Sequence, residues 1–316
     1  MNLSIIIVNW NTRDMLKDCL SSLRENAYCR NAQVIVVDND STDGSRQMTE
    51  SVFPEVRVIN SGGNIGFGRA NNLALKNVNT DYILFLNPDT VVLENSIERM
   101  IDVMESSKSI GGVGCKMIFP TGETQPLGLQ WFPSPFTELF SLLFISNKSL
   151  ERLKGIIPYR DPEKDGYVMK LYGGCLLVRK AVLDRIGYFD EQFFMYGEDV
   201  DLSRRIMDGG WKLYYSSAAK IIHLCGGSSE KAPSDFSILM KCDSINKLMN
   251  KYYGIPGKYL YRIAVFSGAC FRLLTLIIVR ALYSSQNQRG FYDRARHKYT
   301  AMIKWSLKLR QPEIKQ

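Results

Sequence analysis

The first hundred residues alternate between continuous apolar runs and segments with apolar residues at helical spacing. The apolar runs lie at 3–9, 33–39, 55–60 and 82–87, and the helical segments lie at 12–23, 66–77 and 94–104. Runs without polar alternation are typical of strands buried on both faces. The alternation of the two patterns predicts an α/β fold with a mostly parallel central sheet and helices on both faces.

The pattern is less regular in the middle of the chain. Residues 119–165 are rich in proline and contain the aromatic run "WFPSPFTELFSLLF". A stretch of this length without a clear period is long for a simple connection, so we expect a functional loop or lid. Beyond it, residues 170–187 predict a strand and a short helix, and residues 198–210 predict a helix ended by glycine.

The C-terminal region contains an apolar run at 263–279, with Arg272 at its centre and Arg262 and Arg280 at its ends. A spanning helix needs about 20 apolar residues, and an arginine at its centre is costly. We therefore expect an amphipathic helix that lies in the membrane interface with its arginines reaching the lipid headgroups. The alternative is a C-terminal helix packed on the rest of the protein.

Charge is distributed unevenly along the 316 residues. Residues 231–316 contain 16 Lys and Arg but only 4 Asp and Glu, whereas residues 1–230 contain 24 and 28. Basic tails bind phosphates, either of nucleic acids or of membranes. An apolar run gives no advantage in binding nucleic acid. We therefore predict that the C-terminal region binds a membrane surface and that nucleic acid is not a partner. The seven cysteines are scattered without CxxC spacing, which favours a reducing compartment.

Two polar segments follow the early strands. Asp38 ends the second apolar run and begins the turn "DNDSTDGS", where it can bind a ribose or a base, or simply cap a turn. The turn "SGGNIGFG" at 61–68 can bring backbone N–H groups close to a diphosphate. It has neither the Walker A sequence nor the dinucleotide fingerprint, which disfavours P-loop NTPases and dehydrogenases.

Carboxylates follow the later elements. Asp89 comes after the fourth apolar run and could contact a metal ion or only form a turn. Glu198 and Asp199 belong to an acidic cluster at a predicted helix start, where they could complement the helix dipole or act as a general base. His223 follows a short apolar run, and a lone histidine there is more often structural than a ligand.

Six segments in this order resemble family-2 glycosyltransferases of the GT-A (nucleotide-diphospho-sugar transferase) fold, and most of all the bacterial rhamnosyltransferase-like branch. They are "SIIIVNWNT", "VIVVDNDSTDGS", "GGNIGFGRANNLAL", "YILFLNPDT", "YGGCLLVRKAVLDRIGYFDEQFFMYGEDVDLSRRIMDGGW" and "IIHLCGGS". The resemblance covers residues 3 to about 228. It implies transfer of a sugar from a nucleotide diphosphate to an acceptor hydroxyl, with inversion at the anomeric carbon.

The resemblance also implies the roles of individual residues. The nucleotide-sugar site would comprise Asn9, Trp10, Asn11, Asp38, Asn64, Gly66, Asn87, Gly173 and Gly174. Asp89 would bind a divalent cation, Mg²⁺ or Mn²⁺, with His223 completing the site, while Asn87 stands in the place of the first acid of the family's D-x-D motif. Asp199 would be the catalytic base beside Glu198, and Arg205 would support this acidic segment.

We therefore expect a GT-A catalytic domain at 1–230, with a nucleotide-binding half at 1–105 and an acceptor and catalytic half at 106–230. A basic amphipathic helical extension would follow at 231–316. The resemblance implies transfer of L-rhamnose from dTDP-L-rhamnose to a glycan or polyprenyl-diphosphate-linked acceptor in surface polysaccharide biosynthesis. The enzyme would be cytoplasmic and peripheral to the inner face of the cell membrane.

Two other functions stay open at this point: a UDP-hexose-dependent transferase of the same fold, and a catalytically silent module that binds sugar nucleotides or membranes. A nucleotidyltransferase is disfavoured. It would need a basic, glycine-rich loop after the first strand, and "NWNTRDML" does not provide one.

Overall fold

The computed structural model describes residues 2–126, 130–143, 161–224, 235–282 and 289–312. The strands in these ranges are β1 Leu3–Asn9, β2 Gln33–Asp38, β3 Arg57–Asn60, β4 Tyr82–Leu86, β5 Thr90–Val92, β6 Ile110–Ile118, β7 Gly166–Val168, β8 Cys175–Arg179 and β9 Lys212–His223. The helices are α1 Arg13–Glu25, α2 Ser45–Val52, α3 Phe67–Leu75, α4 Ser96–Ser106, α5 Pro135–Leu143, α6 Lys180–Ile186, α7 Glu198–Asp208, α8 Phe236–Leu282 and α9 Arg289–Ser306.

The strands form a single sheet in the order β3-β2-β1-β4-β8-β6-β9-β5, and β7 pairs with β9. Strands β3, β2, β1 and β4 are parallel, as predicted. Strand β8 is antiparallel to both of its neighbours, β4 and β6. The predicted α/β architecture is confirmed, and the sheet is parallel in its first half and mixed in its second. The apolar run of β8 indicates burial but contains no information about strand direction.

The central strand β1 is buried along its whole length. Its odd-numbered residues Leu3, Ile5 and Ile7 pack in one hydrophobic cluster with α1 and α4. Ile6 and Val8 pack in a second cluster with α3 and α6 on the opposite face. Helices therefore cover both faces of the sheet, which is why the run contains no polar alternation.

Parallel strands bring their carboxyl ends to one edge of the sheet. Asn9 at the end of β1 lies opposite Asp38 at the end of β2 in the strand register. Asn87 and Asp89 follow β4, which is the other neighbour of β1. This edge is where open α/β sheets bind their ligands.

The C-terminal region packs against this α/β body. Helix α8 is kinked at Gly254, which has φ of 65° and ψ of −165° and is followed by Pro256. Its second half packs with α5 and α9 in a third hydrophobic cluster, around the fully buried Trp305. Phe193 and Val200 of the α/β body belong to the same cluster. The division at residue 230 stays a prediction, because residues 225–234 lie outside the described ranges.

The arginines of α8 are not where we expected them. Arg262 is only 8% exposed and donates to the backbone carbonyls of Trp305 and Ser306, where its charge complements the C-terminal end of α9. Arg272 is 7% exposed and faces an internal cavity. The expectation that these two side chains reach lipid headgroups is therefore wrong, because both are buried in the protein. Arg280 is exposed.

Apolar side chains nevertheless cover an exposed face of α8. This exposed stripe comprises Ile255, Tyr259, Leu260, Ile263, Phe266, Phe271, Leu274, Ile277 and Ile278. Helix α8 is long and apolar enough to cross a membrane by length and composition, and a third of its most apolar stretch is buried in the protein. The helix therefore combines a packed face with a face that nothing in the described chain covers.

Candidate active site

A cavity of about 1090 Å³ opens at the carboxyl ends of the strands. Ten of the fourteen predicted site residues line it: Trp10, Asn64, Gly66, Asn87, Asp89, Gly173, Gly174, Glu198, Asp199 and His223. The other four, Asn9, Asn11, Asp38 and Arg205, do not line it. Segments separated by more than two hundred residues in the sequence thus meet around one space.

Asn9 and Asp38 hold together the turn that follows β2. The amide of Asn9 donates to Oδ1 of Asp38 at 3.2 Å and to Oγ of Ser41 at 3.0 Å, and the Ser41 N–H donates to Oδ2 of Asp38 at 3.1 Å. Asn11 accepts a hydrogen bond from the Thr42 N–H at 2.8 Å. Both oxygens of Asp38 therefore already accept bonds from the protein, and the predicted contacts of these residues with a nucleotide stay predictions.

Asn39 is a cavity residue that the sequence reasoning missed. It is 3% exposed, and its amide donates to the Gly66 carbonyl at 3.3 Å. Its Oδ1 is buried and has no hydrogen-bond partner among the described residues. A buried acceptor of this kind normally finds a donor, so it is a candidate contact for a ligand. Asn39 directly follows Asp38 in the sequence. The prediction assigned the ligand contact to the carboxylate of Asp38 and not to the neighbouring amide.

Gly66 has a packing reason as well as a predicted ligand role. Its φ is 87°, and a Cβ built on it would lie 2.4 Å from the Phe194 carbonyl oxygen. The adjacent Phe67 N–H donates to this same carbonyl at 2.8 Å. Only glycine fits here, because the turn before α3 lies directly against the segment that leads to the acidic helix.

Asp89 and His223 are brought together across β5 and β9. Nε2 of His223 lies 3.4 Å from Oδ1 of Asp89. The Gln125 amide donates to the His223 carbonyl at 2.8 Å, so Gln125 Oε1 accepts from Nδ1 of the ring at 3.0 Å. With its proton on Nδ1, the ring would present the lone pair of Nε2 to a metal ion bound at Asp89. Gln125 was not predicted, because its role is to orient another side chain.

This arrangement fits a divalent cation that takes some of its ligands from the protein and the others from a substrate. A carboxylate oxygen and an imidazole nitrogen are both ligands for Mn²⁺, and the carboxylate suits Mg²⁺. Among the described residues, no group of three or more His, Cys, Asp or Glu side chains converges on one point. Asp89 and His223 would hold the ion with two protein ligands, and phosphate oxygens and water would complete its coordination shell.

Helix α7 begins at Glu198 after two residues with left-handed backbone, Tyr196 with φ of 64° and Gly197 with φ of 91°. A non-glycine residue in this region is strained, and such strain is concentrated at functional sites. The turn directs Asp199 towards Gly173, whose N–H donates to Oδ2 at 3.0 Å. The Val200 N–H donates to Oδ1 at 2.8 Å. The carboxylate is therefore held firmly at the cavity wall.

Burial changes the acidity of both carboxyls at the start of α7. Desolvation, reinforced by the charge of Asp199, raises the pKa of Glu198 to about 8. Desolvation also raises the pKa of Asp199, and backbone donors such as the Gly173 N–H oppose this shift. The backbone N–H groups that donate to Asp199 favour its ionised form, so of the two carboxyls Asp199 is the one suited to act as a base.

Asp201, the third acid of α7, has a structural role. It is fully buried, and its two oxygens accept hydrogen bonds from Arg205 at 2.8 Å and from Tyr252 at 2.8 Å. Lys251 lies 2.6 Å from the same carboxylate. Arg205 also donates to the Tyr188 carbonyl at 2.7 Å. Arg205 thus pairs with an acid of its own helix, in a network that also holds α8 against α7, and its predicted supporting role stays a prediction.

The cavity continues past Asp199 into a cationic end, which the sequence reasoning did not identify. Lys170, Lys241, Arg272 and Lys298 line it, and Glu138 of α5 contributes a carboxylate. These residues are spread between positions 138 and 298 and share no motif, so no local signal could group them. The basic composition of the C-terminal region was the only sign of them.

Comparisons with known proteins agree with this geometry. The family model "Glycosyl transferase family 2" matches residues 4–187. The chain is 29% identical to an N-acetylglucosaminyl-diphospho-decaprenol L-rhamnosyltransferase of Mycobacterium tuberculosis, over 73% of this chain and 79% of that protein. It is 30% identical to the rhamnosyltransferase WbbL of Escherichia coli, over 69% of this chain and 82% of that protein.

Solved structures support the fold. One is the mannosyltransferase PcManGT of Pyrobaculum calidifontis in complex with GDP-Man and Mn²⁺, with a TM-score of 0.59 at 14% sequence identity. The superposition covers 97% of this chain and 86% of the PcManGT chain. TarS of S. aureus in complex with UDP-GlcNAc has a TM-score of 0.54 at 14% identity, covering 98% and 92%. The sheet and helices are those of the GT-A fold. With a family match over more than half of its length, this chain belongs to glycosyl transferase family 2.

Proposed function

We propose that the protein is an inverting rhamnosyltransferase. It transfers L-rhamnose from dTDP-L-rhamnose to a hydroxyl of a glycan carried on a polyprenyl diphosphate, at the cytoplasmic face of the membrane. One observation carries the proposal. Asp199, a half-buried and oriented carboxylate, lines the same cavity as the Asp89–His223 pair.

Asp199 is suited to act as the base in a single displacement. Its carboxylate accepts the proton of the acceptor hydroxyl while that oxygen forms a bond to the anomeric carbon of the donor. The bond between this carbon and the diphosphate oxygen breaks, and the nucleoside diphosphate leaves with the electron pair. Attack opposite to the leaving group inverts the anomeric configuration, and no covalent intermediate with the protein is required.

The charge that develops on the leaving diphosphate requires stabilisation. Asp89 and His223 would hold Mg²⁺ or Mn²⁺, which acts as a Lewis acid on the diphosphate when bound. The buried Oδ1 of Asn39, which has no hydrogen-bond partner among the described residues, would accept a hydrogen bond from the nucleotide. The choice of rhamnose rests on the two rhamnosyltransferase relatives, and the lipid diphosphate on the name of the mycobacterial one.

The donor and acceptor are tested with the purified full chain in detergent. The protein is incubated with Mn²⁺, a lipid-linked N-acetylglucosaminyl diphosphate, and in turn dTDP-L-rhamnose, UDP-glucose and UDP-GlcNAc. We expect transfer of rhamnose with an inverted linkage, which is detected by mass spectrometry and NMR. EDTA should abolish this transfer. Transfer from a UDP-hexose alone would support the alternative donor. Donor binding without transfer to this or other acceptors would support a silent binding module.

Membrane association is proposed through the exposed stripe of α8. A stripe of this length has apolar area to bury in the headgroup region, and the exposed side chains of Arg280, Lys304 and Lys308 can attract anionic lipids. Replacing Ile263, Leu274 and Ile277 by glutamine should release the protein from anionic vesicles in a sedimentation assay. Replacing Val52, Tyr167 and Met169, which are exposed apolar residues of the α/β body, is the control. Equal sedimentation of both variants would refute the anchor.

A further inference from the structure

The cationic end of the cavity has no place in the proposed donor site. Lys170 precedes β8, Lys241 and Arg272 belong to the two halves of α8, and Lys298 belongs to α9. All four side chains line the same cavity as Asp199. Four cations from separate elements repel one another, so their convergence costs stability unless an anion binds there.

Counter-charge from the protein is small at this end. Among the described residues, none of Lys170, Lys241 and Lys298 forms an ion pair. Glu138 is the carboxylate beside them, and burial raises its pKa, although Lys241 and Lys170 oppose this. The described residues therefore leave an excess of positive charge at this end of the cavity, where Lys241 and Lys298 are also exposed to solvent.

The effects of these charges on one another's pKa values also indicate that the side chains lie close together. Burial lowers the pKa of Lys298, and the charges of Lys241 and Arg272 lower it further. Burial likewise lowers the pKa of Lys170, while Glu138 and Asp199 raise it. Lys170 therefore lies within electrostatic reach of both the catalytic carboxylate and the cationic end.

We infer that Lys170, Lys241, Arg272 and Lys298 form a second diphosphate site, which binds the diphosphate of the lipid-linked acceptor. This inference rests on the proposed function. An acceptor sugar with its hydroxyl at Asp199 would extend away from the Asp89–His223 pair, and its own diphosphate would follow at the cationic end. Lysine and arginine are the side chains that bind such phosphates.

The apolar surroundings give the lipid chain a direction in which to leave. Phe271 is 42% exposed and Leu274 is 57% exposed, and they flank the buried Arg272 on α8. Both belong to the exposed stripe. A single helix thus turns a cation towards the cavity and apolar side chains outwards, as a ligand with a charged head and an apolar tail requires.

A matched pair of double variants tests the site. Lys241→Gln with Lys298→Gln removes two cations from the cavity. Lys258→Gln with Arg294→Gln removes two cations from the same helices, α8 and α9, at positions that do not line it. Both variants change the net charge equally, so effects on membrane attraction should be alike. Thermal melting of both variants checks that the fold is retained.

Direct binding is measured with farnesyl diphosphate, and farnesol serves as the uncharged probe. The cavity variant should bind farnesyl diphosphate roughly 10- to 100-fold more weakly than the wild type, since two charge-assisted contacts are lost. The control variant should bind within about twofold of the wild type. Farnesol binding should be the same for all three proteins. A wild type that does not bind farnesyl diphosphate, or a cavity variant that binds it normally, would overturn the inference.

Kinetics separate the acceptor from the donor as the source of the diphosphate. The cavity variant should raise KM for the lipid-linked acceptor by a similar factor, with KM for the nucleotide sugar unchanged. An increase in the donor KM alone would assign the cations to the donor and overturn the inference. If the wild type transfers no sugar but binds farnesyl diphosphate through Lys241 and Lys298, the proposed function fails while the second site stands.

Discussion

The Gly173 N–H donates to Oδ2 of Asp199 across 3.0 Å. This bond joins the segment before β8 to the first turn of α7, and a Cβ on Gly173 would lie 3.5 Å from the Cβ of Asp199. A Cβ at this distance would make an ordinary van der Waals contact, so the backbone N–H of residue 173 is what orients the carboxylate. The family resemblance implies that Gly173 borders the sugars, and in the structure Gly173 directly contacts the proposed base.

The two carboxyls at the start of α7 predict a pH effect on stability. Burial raises the pKa of Glu198 to about 8, above its ordinary value of 4.5. The native state therefore binds more protons than the unfolded state between these values, and the free energy of unfolding falls as pH rises through this window. Glu198→Gln cannot ionise, so it should lose less thermal stability than the wild type between about pH 5 and pH 8.

Melting curves across this range check the prediction. Glu94→Gln, at an exposed position on the same protein, is the control and should follow the wild type. Parallel melting curves for the wild type and Glu198→Gln would show that Glu198 is ionised in the native state at neutral pH.

Asp201 predicts a stability effect that is separate from catalysis. Asp201→Asn leaves Arg205 and Lys251 without the full counter-charge of a fully buried carboxylate. Breaking a buried ion pair in this way should cost about 3 to 5 kcal/mol of unfolding free energy. Asp208→Asn breaks the exposed pair with Arg204 on the same helix and should cost about 1 kcal/mol or less.

Urea unfolding of the two variants measures this difference directly. A loss of equal size in both would mean that the network around Asp201 does not hold α8 against α7.

Gln125 predicts an effect on metal use through His223. Its side chain fixes the ring by accepting from Nδ1 and donating to the His223 carbonyl. Gln125→Ala should raise the Mn²⁺ concentration needed for half-maximal activation roughly 10-fold or more, because outer contacts of this kind tune metal ligands. At saturating Mn²⁺ the rate should return towards that of the wild type.

The comparison variant is Gln47→Ala, on the surface of α2 and away from this site. An unchanged Mn²⁺ requirement in Gln125→Ala would show that Gln125 does not support the metal site. If no divalent cation activates the wild-type enzyme, the proposed metal site itself is wrong.

The features predicted well from sequence are those that a local pattern encodes. Continuous apolar runs predicted the positions of β1, β2 and β4. The polar residues that follow these strands were therefore expected at one edge of the sheet. Asp89 and His223 were grouped by resemblance, and the structure brings them to 3.4 Å. Burial on both faces and strand ends are properties that a single segment shows by itself.

The features that sequence reasoning missed depend on long-range packing. The antiparallel direction of β8 is set by the path of the chain before it. Arg262 and Arg272 were placed at the membrane because the pattern of α8 did not show that α9 and the cavity lie on its other side. Asn39, Gln125 and the four cavity cations act through neighbours that are distant in sequence, so no spacing reveals them.

The central claim is that Asp199 is the base of a sugar transfer, and Asp199→Asn tests it most directly. Transfer to the lipid-linked acceptor and binding of the nucleotide sugar are measured on the same preparation. The account predicts that the rate of transfer falls roughly 100- to 10,000-fold, as expected when a general base is lost, while the donor binds within about twofold of the wild type. Transfer at close to the wild-type rate by Asp199→Asn would contradict the account.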